Sequence, residues 1–367
     1  MSRILALATT FVLLGSAAAQ AATHGDLVSA KPLTTKAKLA GASKNLAVVY
    51  KTKGVSGKLV NVTGMLAIPK GKAPKGGWKI FSWAHGTTGL ADSCAPSLAP
   101  GGGSVKYIAP YLNSLLKSGY AIAQTDYEGL GSPGEHPYLN GVSAGRSVLD
   151  IARAARNYDK QVGKKLVISG HSQGGHAALW AASLVRTWTP ELNLRSTVAF
   201  APASHIGEQA GIISKFDSTS LSPLAGMILR GAAISKPSLN IESLLSPAAL
   251  ALWPDTITKC NAELGKADSW GGIKATDILN PGADLTPVVA FLNANDPESR
   301  KPAGPVEIVQ GDADALVLPA ITSNLADEYN KAGVKLTYTV IPKLNHGTIA
   351  SDAKGRNAAL KFIAKNR

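Results

Sequence analysis

Cysteine is nearly absent from this chain: Cys94 and Cys260 are the two such residues in 367. That excludes a fold stapled by many disulfides and leaves no thiolate cluster for a structural metal. No cysteine or histidine group has metal-ligand spacing, and the H-E-x-x-H signature is missing. Acidic residues are also scarce, 24 against 38 lysines and arginines, for a formal charge of +14. The basic runs, Lys70, Lys72, Lys75 and Lys79 among them, lack the aromatic interleaving of a nucleic-acid platform. They read as a solvated cationic surface, and no nucleic-acid partner is expected. Beyond the N-terminus no apolar run is long enough to span a bilayer, so no stable membrane anchor is expected. Internal repeats and low-complexity tracts are lacking too.

What is present begins with an export signal. Arg3, an apolar stretch over 4–14 and small residues over 17–22 have the three-part pattern of a secretory signal peptide. Residues 1–21 are assigned to it, with cleavage after Ala21 or Ala19. The mature chain is therefore expected outside the cytoplasm, secreted or periplasmic. An oxidising compartment suits one disulfide between Cys94 and Cys260.

Strand-like apolar runs recur at 46–50, 59–68, 78–84, 121–125, 165–169, 196–200, 306–310 and 335–341. Helical stripes lie between several of them. Ile108, Tyr111, Leu112 and Leu115 share one face, as do Val148, Ile151, Ala152 and Ala155, and later Ile321, Leu325 and Tyr329. The alternation predicts an α/β fold, a mostly parallel, doubly wound sheet covered on both faces. Reactive groups in such sheets gather in loops beyond the carboxyl ends of the strands. Residues 22–46 read as an extended segment without a period. From 205 to 300 the alternation stops in favour of prolines and short apolar pieces, which predicts an inserted, mainly helical cap. The division is a core of 22–204 and 301–367 interrupted by a cap of 205–300.

Gly170-His171-Ser172-Gln173-Gly174 follows the apolar run 166–168 and opens a helix-forming stretch. A strand turning sharply into a helix lifts a serine hydroxyl clear of the backbone. A second match, Gly141-Val142-Ser143-Ala144-Gly145, has no strand before it, and Ser143 reads as lying near a helix N-cap. Ser172 is the nucleophile candidate. Its base must come from elsewhere in the chain, because His171 and His176 are neighbours in sequence that do not point at the hydroxyl easily. His346 follows the last strand and precedes the last helix, where a base belongs. The orienting carboxylate should follow the preceding strand. Asp314 stands deeper in that turn, anchored by Leu316 and Val317, and Asp312 reads as a turn residue. The oxyanion of an acyl-transfer intermediate needs N–H donors. Gln173, first after the nucleophile, is one; the Thr87 N–H in the loop Ala84-His85-Gly86-Thr87-Thr88-Gly89 is the other, with the Thr87 hydroxyl as a candidate assistant and His85 and Gly86 holding the loop shape. The turn at 126–131 reads as structural, lining the pocket entrance.

The order Ser172, Asp314, His346 is that of the α/β-hydrolase triad. Together with Cys94-Ala95-Pro96-Ser97 and the loops quoted above, these residues resemble the secretory lipase family of microbial α/β-hydrolases. The resemblance implies an exported serine carboxylic ester hydrolase, a lipase or esterase, with a lid over an acyl pocket. Its substrates would be acylglycerols or other small or lipid-like esters, with contact to lipid interfaces, and no cofactor or metal. The alternative is a hydrolase of polymer or aromatic esters, cutinase-like or feruloyl-esterase-like, although a covered apolar site suits bulky polymers poorly. A serine peptidase would need a larger gating domain. A binding module without catalysis would have lost a nucleophile or base, and here every role is filled.

Overall fold

The computed structural model describes residues 21–213 and 217–367. The expected signal peptide therefore lies, but for Ala21, outside the described residues.

A nine-stranded sheet organises the chain. Its antiparallel edge is β1 (Leu27–Pro32), β2 (Ala42–Lys53) and β3 (Leu59–Pro69). Then come β4 (Trp78–Ala84), β5 (Tyr120–Thr125), β6 (Val162–His171), β7 (Asn193–Phe200), β8 (Val306–Gly311) and β9 (Leu336–Ile341), paired in parallel. The spatial order is β1-β2-β3-β5-β4-β6-β7-β8-β9. Every residue of β5 and β8 is buried, as strands covered on both faces require, whereas β2 alternates.

Helices α1 (Val105–Lys117), α2 (Gly141–Tyr158) and α3 (Gln173–Trp188) cover the two faces. On one face, Tyr111, Leu112 and Leu115 of α1 pack on Phe81, Ile122 and Phe200. On the other, Val148 and Ile151 of α2 and Ala177 and Ala181 of α3 pack on Ile80, Leu166 and Ile168. Burying each large aliphatic side chain contributes about 1.5–3 kcal/mol, so these stripes fix the layers.

One detail differs from the sequence reading. β1 lies in the segment read as having no period; it is a half-buried edge strand, so no clean alternation marks it. Ser143 lies near the N-cap of α2, as read: the cap is Asn140, whose side chain accepts the Ser143 N–H at 3.0 Å.

Between β7 and β8 the chain leaves the sheet as α4 (Ile206–Ile213), α5 (Ser222–Ser235), α6 (Pro247–Leu252), α7 (Asp255–Thr258), α8 (Asn261–Leu264) and α9 (Thr286–Asn295). No strand occurs there among the described residues. This excursion has its own core, with Met227, Leu264, Trp270 and Leu292 closing over Leu90, Tyr138 and Leu139. After β8, α10 (Pro319–Lys331) and α11 (Ala353–Lys365) complete the cover.

Cys94 and Cys260 are joined in a disulfide with their Cα atoms 5.5 Å apart. Around it, Asn261 N–H donates to the Thr88 carbonyl at 3.0 Å and Gly89 pairs with Cys260. Gly89 is obligatory: its φ is +125°, and a Cβ there would meet Cys94 Sγ at 2.6 Å. One cross-link thus holds the excursion against the loop that carries Thr87.

Candidate active site

β6 ends at His171 and α3 begins at Gln173, so Ser172 alone makes the turn, at φ 58° and ψ −120°. A side chain held there is strained, and strain of that kind persists only where the surroundings enforce it. Ser172 N–H donates to Phe200 O at 3.0 Å, and Ala203 N–H donates to Ser172 O at 3.2 Å. The flanking glycines are required by contact: a Cβ on Gly170 would lie 2.0 Å from Gly174 O, and one on Gly174 2.0 Å from Ala84 O. Ser143, by contrast, is buried and bonded to the Glu128 carboxylate.

The loop after β8 buries Asp314, and the loop after β9 brings His346 to it. His346 Nδ1 lies 2.8 Å from Asp314 Oδ2, which also accepts from Gln310 Nε2 at 3.2 Å. Asp314 Oδ1 accepts the Leu316 and Val317 N–H groups at 2.9 and 2.8 Å. Burial alone would raise this carboxyl. The hydrogen bond and charge of His346, with the two backbone donors, outweigh burial and hold Asp314 below the ordinary value. An ionised Asp314 fixes Nδ1 as the nitrogen that carries the proton of a neutral imidazole. Asp312 instead is exposed and accepts the Lys343 N–H at 2.6 Å.

Ser172 and His346 line one cavity of about 480 Å³, whose wall also includes Ile206, Leu221, Leu224 and Ile228. The serine hydroxyl makes no hydrogen bond to the imidazole among the described residues. Contacts between nucleophile and base are commonly loose before substrate arrives. The His171 ring packs 4.7 Å from that of His346, and burial pushes it down to about 3, so it stays neutral. His176 is turned away, with Nε2 2.8 Å from Asn295 O.

Gln173 N–H, at the head of α3, has no intrahelical acceptor. Thr87 N–H has no acceptor among the described residues, and its loop passes beside the serine: a Cβ on Gly86 would be 3.6 Å from Ser172 Cβ. His85 braces that loop, with Nδ1 2.7 Å from Gly86 O, while Tyr127 donates to His85 O at 2.8 Å.

Two residues here escaped the sequence reading. His136 donates from Nδ1 to Glu128 O at 2.7 Å and accepts the Gln173 amide on Nε2 at 2.9 Å. Burial pushes it down to about 4, so it stays a neutral acceptor. Tyr138 meets the Thr87 hydroxyl at 2.6 Å. Both lie in a polar stretch whose one legible sign is the Asn140 cap that ends it. The turn at 126–131 needs a correction. It is structural but does not line the cavity, because its carboxylates point inward: Asp126 takes the Ser97 N–H at 3.0 Å and the Ser97 hydroxyl, and Glu128 takes Ser143 and Val55. Among the described residues no three His, Cys, Asp or Glu side chains gather as a metal site.

A family model described as "Secretory lipase" matches residues 103–367. The chain belongs to the secretory lipase family. Among its relatives this secretory lipase family chain is similar to Lipase A of Moesziomyces aphidis, 27% identical over 231 residues, covering 60% of this chain and 47% of that protein. It is also similar to a probable inactive lipase of Mycobacterium tuberculosis, 25% identical over 308 residues, covering 79% and 67%. The chain thus spans about half to two thirds of the length of these relatives. In three dimensions it matches Candida antarctica lipase A in its closed state, with a TM-score of 0.79 at 20% identity, covering 94% of this chain and 82% of that one. The fold is that of the α/β-hydrolases. A relative named as inactive means that membership alone decides no activity; the side chains must.

Proposed function

We propose that this protein is an exported serine carboxylic ester hydrolase that cleaves acyl esters, acylglycerols or other lipid-like esters, through an acyl-enzyme on Ser172. The observation that carries this reading is the His346–Asp314 pair at 2.8 Å, facing the same cavity as a strained Ser172. His346 Nε2 takes the serine proton as Oγ attacks the ester carbonyl carbon. The Thr87 and Gln173 N–H groups receive the oxyanion. His346 then gives the proton to the departing alkoxide, and a water molecule repeats the sequence on the acyl group. Asp314 keeps the imidazole in one tautomer throughout.

The apolar side chains in the cavity wall, Leu221, Leu224 and Ile228 among them, support lipid-like esters over polymers, since an apolar wall favours an acyl chain. Residues 205–300 act as a lid in this reading, and the disulfide agrees with an oxidising compartment outside the cytoplasm. The test is Ser172→Ala assayed on p-nitrophenyl butyrate and on a long-chain ester. Hydrolysis should fall about ten-thousandfold or more. Undiminished turnover on either ester removes the proposal, and release of aromatic acids without action on lipids selects the aromatic-ester alternative.

A further inference from the structure

The hydroxyls of Thr87 and Tyr138 meet at 2.6 Å in the wall of the cavity that holds Ser172. Neither oxygen has another protein partner among the described residues. The pair carries two protons, and one of them lies between the oxygens. A phenol is the more acidic group and an alkyl hydroxyl the more basic oxygen, so Tyr138 donates and Thr87 accepts. Burial pushes the Tyr138 phenol up to about 12 despite the opposing Thr87 bond, so the donor keeps its proton at neutral pH. This direction leaves the Thr87 proton unengaged, and the bond that Thr87 accepts strengthens the one it can give.

We propose that the Thr87 hydroxyl is a third oxyanion donor, beside the N–H groups of Thr87 and Gln173, and that Tyr138 is the positioning residue that aims it. This inference rests on the reading of Ser172 as nucleophile. When Oγ adds to the carbonyl carbon, the π electrons move onto the carbonyl oxygen. Thr87 O–H then makes a charge-assisted hydrogen bond to that oxygen without releasing its proton. As the intermediate collapses, the electrons return to the carbonyl and the alkoxide leaves with the proton from His346. Tyr138 is itself seated in the core of the cap. A Cβ on Gly231 of α5 would come 2.4 Å from Tyr138 O and 2.8 Å from Tyr138 Cβ. α5 and the third donor therefore meet at one residue, α5 against the backbone and Cβ of Tyr138 and Thr87 against its hydroxyl.

The test measures kcat and KM on p-nitrophenyl butyrate, and the affinity of a trifluoromethyl ketone whose serine adduct carries the negative oxygen. Thr87→Val removes the hydroxyl and keeps the N–H. It should lower kcat about tenfold to a hundredfold at nearly constant KM, and weaken the ketone by the same factor. Thr87→Ser should stay within about threefold of the wild type. Tyr138→Phe should lose part of the effect, and the double variant should be no worse than Thr87→Val, because Tyr138 acts through that hydroxyl. A mere brace would give additive losses that follow thermal stability or KM, with no selective loss of ketone binding, and that outcome overturns the proposal. So does an unchanged kcat and ketone affinity in Thr87→Val. Should that variant fail to fold, Tyr138→Phe keeps the ring in place, and its full activity and ketone affinity also overturn it. Ser172→Ala separates the levels: turnover that survives it removes the underlying reading, whereas turnover lost there but intact in Thr87→Val removes the third donor alone.

Discussion

Glu307 shows how a single buried group sets a pH dependence. It lies on β8, 3% exposed, with the Thr339 hydroxyl donating to it at 3.0 Å. Burial pushes its carboxyl from 4.5 up to about 7, and the hydrogen bond offsets this in part. Between those values the folded chain holds a proton that the unfolded chain has released, so this group's stabilising contribution is lost as pH rises through the window. Glu307→Gln has no such proton to lose. Its melting temperature relative to wild type should be unchanged near pH 4 and higher by pH 8; a difference that does not vary with pH would show that burial does not govern this group. At this scale the sequence was legible where placement follows strand order. Ser172, Asp314 and His346 each sit at a strand end, and Asp314 could be told from Asp312 by the apolar residues after it. His136 and Tyr138 were not legible, because their roles come from partners far along the chain, Gln173 and Thr87, that no local period reveals.

Elements were readable to the degree that both faces are buried. β4 and β8, flanked by parallel neighbours, show as apolar-rich runs interrupted by Lys79 and Ser82 in one and by Glu307 and Gln310 in the other, whereas β1 at the sheet edge shows nothing. The turn between β6 and α3 is the element on which the proposed chemistry depends, and its tolerance is small. Gly174→Ala would press a methyl group to 2.0 Å from Ala84 O, the last residue of β4, and so push the helix away from the strand leading to Thr87. We expect a loss of about 1–3 kcal/mol in denaturant unfolding, as overpacking brings, with a fall in kcat beyond what the unfolded fraction explains. Wild-type kcat in the folded fraction would argue that the elbow adapts. The cap could be foreseen as helical and inserted, yet not its internal order. Its helices are short and turn on prolines, and its core forms by contacts between them and with Leu90, Tyr138 and Leu139.

For the whole molecule, the 166-residue separation between Cys94 and Cys260 makes the disulfide a constraint on the unfolded chain more than on any one element. Replacing both residues, Cys94→Ser with Cys260→Ser, should lower stability by about 2–5 kcal/mol in urea unfolding. It should also reduce kcat, since the same bridge seats the loop of Thr87. Retained stability would mean that the bridge is redundant with the pairing of Gly89 and Cys260. The excursion between β7 and β8 also divides the chain in time. A ribosome completes Ser172 early, then the whole helical insertion, and only afterwards β8, Asp314, β9 and His346. A half-synthesised chain therefore holds Ser172 before His346, the base proposed for it, has been made. Under the proposed mechanism the producing cell meets an inert polypeptide until the last strands have been translated and docked.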